Sequence, residues 1–194
     1  MRKAQITDKS LVLKIISEKY AQVPTLRFML RDYKDPRFIR RLAQYAFDFA
    51  IRREAVYLSD NGKAVAICYW KGEKGRNLYD IYLQLRLVVS AFSLRRLPQI
   101  IKHSNEVSKH HPTDKPFLYF WFYGALAEEK QGSSARELAF GIMRIAKENN
   151  SDIYTETTME QNKRVYERFG FKVYHESYNE AGGFPVWFMR WTHL

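Results

Sequence analysis

PFLYFWFYGALAEEKQGSSARELAFGIMRIA, residues 116–146, is the stretch that decides the fold. After Pro116, residues 117–123 are all apolar or aromatic, as in a strand buried on both faces. The pattern breaks over Glu128, Glu129, Lys130, Gln131, Gly132, Ser133 and Ser134. Leu138, Ile142, Ile145 and Ala146 then recur at helical spacing. The reading is strand, tight polar turn, helix. Such a turn aims unpaired backbone N–H groups and a positive dipole end at one point, which suits a phosphate. Many α/β units share this arrangement, so it does not identify a ligand by itself.

A second stretch, residues 153–171, reads as a strand, a capped turn and a short helix. Thr158 with Gln161, or Thr157 with Glu160, fits a capping box. Gly170 fits a helix C-cap. Asn162 and Tyr166 are four apart and share a helix face. The run Glu156-Thr157-Thr158, Asn162 and Tyr166-Glu167-Arg168-Phe169-Gly170-Phe171 resembles the last shared motif of the GNAT superfamily of acyl-CoA-dependent N-acyltransferases. Residues 123–135 resemble its acyl-CoA-binding motif, with Ala125 at the strand end and Lys130 at the Gln/Arg position. Ser133 falls at the first Gly and Ala135 at the Gly/Ala position. The resemblance is strongest over residues 111–191. Lys130 and Ser133 depart from the family's residues, and Ala127 stands where Pro is common.

The resemblance implies an α/β (α+β) fold: a mixed, mostly antiparallel central sheet flanked by helices, in one domain over 1–194. It implies acetyl-CoA as acyl donor, a primary amine of a small molecule or protein as acceptor, and direct transfer in a ternary complex. Tyr123, Gly124 and Ala125 would supply backbone contacts to the pantetheine and thioester. Lys130, Gln131, Gly132, Ser133, Ser134, Ala135 and Arg136 would take the pyrophosphate, and Asn162 the cofactor arm. Tyr166 would protonate the leaving thiolate. Glu156 is the first candidate for the base and Glu128 the second. The alternative is a catalytically degenerate, acyl-CoA-binding or regulatory module, for which the off-pattern Lys130 and Ser133 argue.

Composition sets the outer bounds. A chain of 194 residues with 46% hydrophobic and 15% aromatic content can bury a sizeable core. Cys68 is the one cysteine, so no intrachain disulfide forms. No apolar run reaches the roughly 18 residues of a membrane span, and no signal peptide is visible. The expectation is a cytoplasmic protein, monomer or homodimer, without membrane or metal. The net charge of +11 has three readings: a solvated basic surface, an anionic ligand, or nucleic acid. Nucleic acid is the least favoured. The cations are scattered and the aromatics fall in core-like runs rather than along a basic face.

Along the rest of the chain, residues 2–7 read as a strand. Thr7 or Asp8 caps a helix bearing Leu11, Val12, Ile15, Ile16 and Tyr20, which Pro24 ends. A short helix over 25–34 follows. Asp35-Pro36 opens a longer one with Phe38, Leu42, Tyr45 and Phe49 on one face. Asp60-Asn61-Gly62 joins two strands, 54–59 and 63–70, in a hairpin. Residues 77–110 read as helices, with Leu78, Ile81, Leu85, Val88 and Val89 as one stripe and Ile101 on the inner face of the next helix. A helical insertion here, ending in His111-Pro112, resembles a bacterial GNAT subgroup; a lid or acceptor-pocket wall is a natural use. His103, His110 and His111 read as surface histidines, and Cys68 as a small core residue. Strands at 171–177 and 185–191 close the chain across Gly182-Gly183.

Overall fold

A computed structural model describes residues 1–72, 77–126, 128–129 and 132–193. Lys130, Gln131 and Ala127 lie outside the described residues. The chain forms a seven-stranded sheet in the order β1-β2-β3-β4-β5-β7-β6. The strands are β1 (Arg2–Lys3), β2 (Val56–Leu58), β3 (Ala64–Lys71), β4 (Phe117–Ala125), β5 (Ile153–Thr157), β6 (Lys172–Asn179) and β7 (Phe184–Trp191). Among the described residues only β4 and β5 pair in parallel; every other pair is antiparallel. The helices are α1 (Lys9–Tyr20), α2 (Pro24–Met29), α3 (Pro36–Ile51), α4 (Leu78–Ala91), α5 (Leu97–Lys109), α6 (Ser133–Glu148) and α7 (Glu160–Arg168).

Local sequence explains most boundaries. Pro36 occupies the first turn of α3, and the Asp35 side chain accepts from the Arg37 N–H at 2.9 Å. Gly62, at φ 70°, makes the β2–β3 turn, and Gly183, at φ 69°, makes the β6–β7 turn. Gly170, at φ 87°, donates to the Glu167 carbonyl and ends α7.

Two apolar layers share the sheet. On one face α1, α2 and α3 bury Val12, Ile15, Ile16, Phe47 and Ala50 against Ile67, Phe122 and Phe188. On the other, α6 and α7 bury Leu138, Ile142, Ala146 and Tyr166 against Leu118, Phe120 and Met189. Cys68 is buried in this second layer. The all-apolar reading of 117–123 is the consequence of covering β4 from both sides.

Several local expectations are corrected. The first strand is only two residues, because a 3-10 turn at Ile6–Asp8 takes over. Pro24 starts α2 rather than only ending α1. No capping box forms at α7: its N-cap is Met159, and Thr157 Oγ1 instead accepts from the Met159 N–H at 3.2 Å. Of the α4 stripe Leu78, Ile81, Leu85, Val88 and Val89, Val88 packs against the core and the other four face outward, while Leu83, Leu87 and Ala91 are buried. In α5 the buried residue is Ile100, and Ile101 is exposed. His111 is buried rather than on the surface.

Candidate active site

The site begins where the parallel pair comes apart. β4 and β5 are in register only at Leu118↔Ile153 and Tyr119↔Tyr154, yet both strands run on. Thr155 Oγ1 donates to the Phe120 carbonyl at 2.9 Å across the start of the split. At the same level β4 bulges: Ile67 faces Phe122 and Cys68 faces Phe120, leaving Trp121 as the extra residue. A bulge re-aims the backbone beyond it. Here the Tyr123 backbone bonds to the α1 side chain Tyr20, whose hydroxyl accepts from the Tyr123 N–H at 2.8 Å and donates to its carbonyl at 3.2 Å.

The split opens beside a cavity of about 650 Å³. Its wall brings together Tyr123, Gly124 and Ala125 of β4, Gly132, Ala135 and Arg136 at the head of α6, and Asn162 and Tyr166 of α7. These eight residues come from the two motifs read in the sequence. Lys19 reaches over Gly124, where an added Cβ would stand 2.8 Å from its Cγ. Burial, then the neighbouring phenols of Tyr20 and Tyr123, push the Tyr166 hydroxyl well above its ordinary range. It therefore keeps its proton at neutral pH.

The head of α6 is arranged for an anion and holds one from the chain itself. Gly132 is left-handed at φ 63°, and a Cβ there would meet nothing within 4 Å among the described residues. The Glu129 carboxylate accepts from the Ser133 N–H at 3.0 Å, the Ser133 hydroxyl at 2.8 Å and the Ser134 hydroxyl at 3.0 Å. These bonds from Ser133, then Ser134, hold the Glu129 carboxyl below its usual range. Ser134 is buried and also bonds Asn61 of the β2–β3 turn at 2.8 Å. Ser133 and Ser134 stand at the expected position but do not form the cavity wall.

The two expected bases separate. Glu128 is exposed and does not line the cavity. Glu156 also lies outside the cavity wall. Along β5 it alternates with Thr155, so it sits on the opposite face of the split from Tyr166. Its Oε1 accepts a short hydrogen bond from the Tyr119 hydroxyl. Its Oε2 lies 3.5 Å from Nε2 of buried His111, and both atoms are sealed from solvent with no hydrogen bond among the described residues. Lys71 Nζ stands 2.8 Å from His111 Nδ1. An ammonium there can only donate, which leaves Nε2–H aimed at Glu156.

Tyr20, Glu129 and His111 carry no sequence signal for these positions. Tyr20 is one more apolar-face residue of α1, 103 residues from its partner. Glu129 is one of a polar run, and His111 sits in a loop. Among the described residues no cluster of His, Cys, Asp and Glu could hold a metal ion, and no helix is long and apolar enough to cross a membrane.

Neither protein-family models nor curated sequences give a match. Solved structures do. A histone acetyltransferase HPA2 and related acetyltransferase from Corynebacterium glutamicum aligns over 97% of this chain and 93% of its own, at 17% identity and TM-score 0.63. Arylalkylamine N-acetyltransferase 2 from Aedes aegypti aligns over 100% and 98%, at 14% identity and TM-score 0.65. An N-acetyltransferase from Staphylococcus aureus Mu50 aligns over 98% of each chain, at 12% identity and TM-score 0.59. At these identities the likeness is one of architecture, and it is the GNAT acetyltransferase fold that the chain adopts.

Proposed function

We propose that this protein is an N-acyltransferase that carries an acyl group, acetyl in the simplest case, from a coenzyme A thioester to a primary amine, both held in one ternary complex. The observation that carries this reading is the split between β4 and β5, with a proton-holding tyrosine on one face and a carboxylate on the other. The residues fit coenzyme A. The edge of β4 at Tyr123–Ala125 offers an extended backbone for a pantetheine arm, and the head of α6 offers N–H groups and Arg136 for phosphate. When bound, the group supplies an acyl carbonyl already activated as a thioester.

The chain's own residues then have four tasks. The cavity holds the acyl carbon beside the split, which converts a bimolecular encounter into a positioned one. The Tyr20 hydroxyl, held by the Tyr123 N–H, turns its one proton from the Tyr123 carbonyl to the thioester carbonyl oxygen as that oxygen gains charge. Amide formation leaves a proton on nitrogen and negative charge on sulphur. Glu156 accepts the first, and Tyr166 donates to the second. Tyr119 holds one oxygen of the Glu156 carboxylate by a hydrogen bond, and the His111 ring faces the other at 3.5 Å. A carboxylate at the split also favours a cationic amine as acceptor.

Calorimetric titration with acetyl-CoA and with CoA tests the reading first, followed by an amine screen with Tyr166→Phe as control. Micromolar binding and a turnover lost in Tyr166→Phe support it. No binding at high concentration sinks it. One observation favours a second reading, a module without transferase activity: Glu129 occupies the amides of Ser133 and Ser134 that a pyrophosphate would use. Acetyl-CoA binding with no turnover on any amine would select that reading.

A further inference from the structure

Helix α4 is apolar on two faces. Leu83, Leu87 and Ala91 are buried on the inner face. On the outer face Leu78, Ile81, Tyr82, Leu85 and Val89 are between 42% and 86% exposed. Residues 78, 81, 85 and 89 follow successive turns, so they form one continuous ridge along the helix. A helix that is apolar all round belongs in an interior, and an exposed apolar stripe of this length marks an interaction surface.

The surroundings of the ridge are cationic. Arg52 stacks 4.3 Å over the Tyr79 ring, and Arg86 lies 5.9 Å from the Tyr82 ring. Arg31 and Arg41 donate to the Val89 and Ser90 carbonyls at the C-terminal end. All four arginines are exposed. Asp80, the one acid of α4, is buried and paired with Arg53. Asp48 beside the helix is largely covered and taken by Lys9 and Arg86.

We infer that this ridge docks the protein on an anionic lipid surface, with α4 lying in the plane of the headgroups. Its aliphatic side chains enter the acyl boundary, Tyr79 and Tyr82 sit at headgroup level, and the arginines reach the lipid phosphates. Charge selects this occupant over a second copy of the chain. Self-association would set the same four guanidinium groups, on molecules of net charge +11, against one another. The ridge is convex, so it offers no groove for a peptide. The surface is contacted and not crossed. The inference needs neither donor nor acceptor and stands apart from the acyl-transfer reading.

Co-sedimentation of the full chain with vesicles tests it. Vesicles of phosphatidylcholine with phosphatidylglycerol bind the protein, vesicles of phosphatidylcholine alone do not, and raised salt releases it. Leu85→Glu combined with Val89→Glu weakens binding at least about tenfold. Arg52→Gln with Arg86→Gln, which leaves the ridge intact, also weakens it. Tyr178→Glu with Lys172→Gln, the same change of two charges at exposed sites on β6 at the far edge of the sheet, leaves binding within about twofold. Thermal melts confirm that each variant folds. Failure to bind mixed vesicles overturns the inference. So does a loss in Tyr178→Glu with Lys172→Gln as large as at α4, which would reduce the effect to net charge. A dimer that Leu85→Glu with Val89→Glu dissociates, without vesicle binding, would instead assign the ridge to a second copy.

Discussion

Tyr166 and Glu129 put opposite demands on the same cavity. Tyr166 is buried, keeps its proton, and lines the cavity beside Asn162, on the helix face that their spacing predicts. Under the acyl-transfer reading, Tyr166→Phe lowers kcat about a hundredfold, the usual worth of a positioned acid, while the calorimetric Kd for CoA stays within about twofold. An unchanged kcat would leave Tyr166 a packing residue against Phe120 and Phe171. Glu129 acts on binding instead. Its carboxylate satisfies the donors at the head of α6, so an incoming pyrophosphate must displace it. Glu129→Gln removes that competing charge and tightens CoA about tenfold, the scale of one charge-assisted hydrogen bond, and leaves pantetheine, which lacks the pyrophosphate, unaffected. Weaker CoA binding in Glu129→Gln would show the carboxylate to be a scaffold for the loop. Tyr166 was legible because its partners lie four residues away on one helix. Tyr20, Glu129 and His111 were not, because each acquires its place only when distant segments meet.

Elements were legible where a local rule fixes them. Asn61-Gly62 and Asp35-Pro36 work through backbone geometry and side-chain bonds within a few residues, and both turn and cap formed where the residues require. Periodicity is weaker evidence, since it gives the spacing of a face and not its orientation. In α4 two apolar faces compete, and the Leu78–Val89 stripe is as regular as Leu83–Leu87–Ala91; packing against α3 chose the second. The α7 cap was misread for a related reason: Thr157 and Thr158 are both capable caps, but both are buried, and Thr158 is engaged by Thr25 at 3.1 Å. Two elements carry measurable costs. Gly132→Ala forces a Cβ onto a left-handed residue with free space around it, so the cost is conformational, about 1 kcal/mol in urea unfolding. A neutral result would show that the α6 head relaxes. At the chain start, Arg2 grips Asp8 at 2.7 Å and holds its carboxyl at about 2, against an ordinary 3.8. A depressed carboxyl stabilises above its unfolded value, so this contribution is complete above about pH 4 and is lost as pH falls to about 2. Arg2 is half exposed, which keeps the loss below about 1 kcal/mol. Asp8→Asn flattens the stability curve in that window; an unchanged slope would assign the acid sensitivity elsewhere.

At the scale of the molecule, the sequence announced its two-sided sheet through one strand. The solid apolar run of β4 has a residue for each layer: Phe120 packs with Leu138 and Tyr166, and Phe122 with the α1–α3 layer. β7 repeats this with Phe188 in one layer and Met189, its neighbour, in the other. Two layers joined through the same strands cannot come apart independently, because losing either one strips half the packing from β3, β4, β5 and β7. We therefore expect residues 1–194 to unfold as one domain in a single transition. Leu138→Ala on the α6 side and Phe47→Ala on the α3 side each remove a fully buried side chain, at about 2–5 and 3–5 kcal/mol. Both should move the same midpoint, read alike by tryptophan fluorescence and by far-ultraviolet circular dichroism. Two midpoints, with Leu138→Ala shifting one and Phe47→Ala the other, would mean that the sheet does not couple its faces. In that case the proposed site, which would draw Tyr20 and Glu156 from one face and Tyr166 from the other, would be assembled across a boundary that opens on its own.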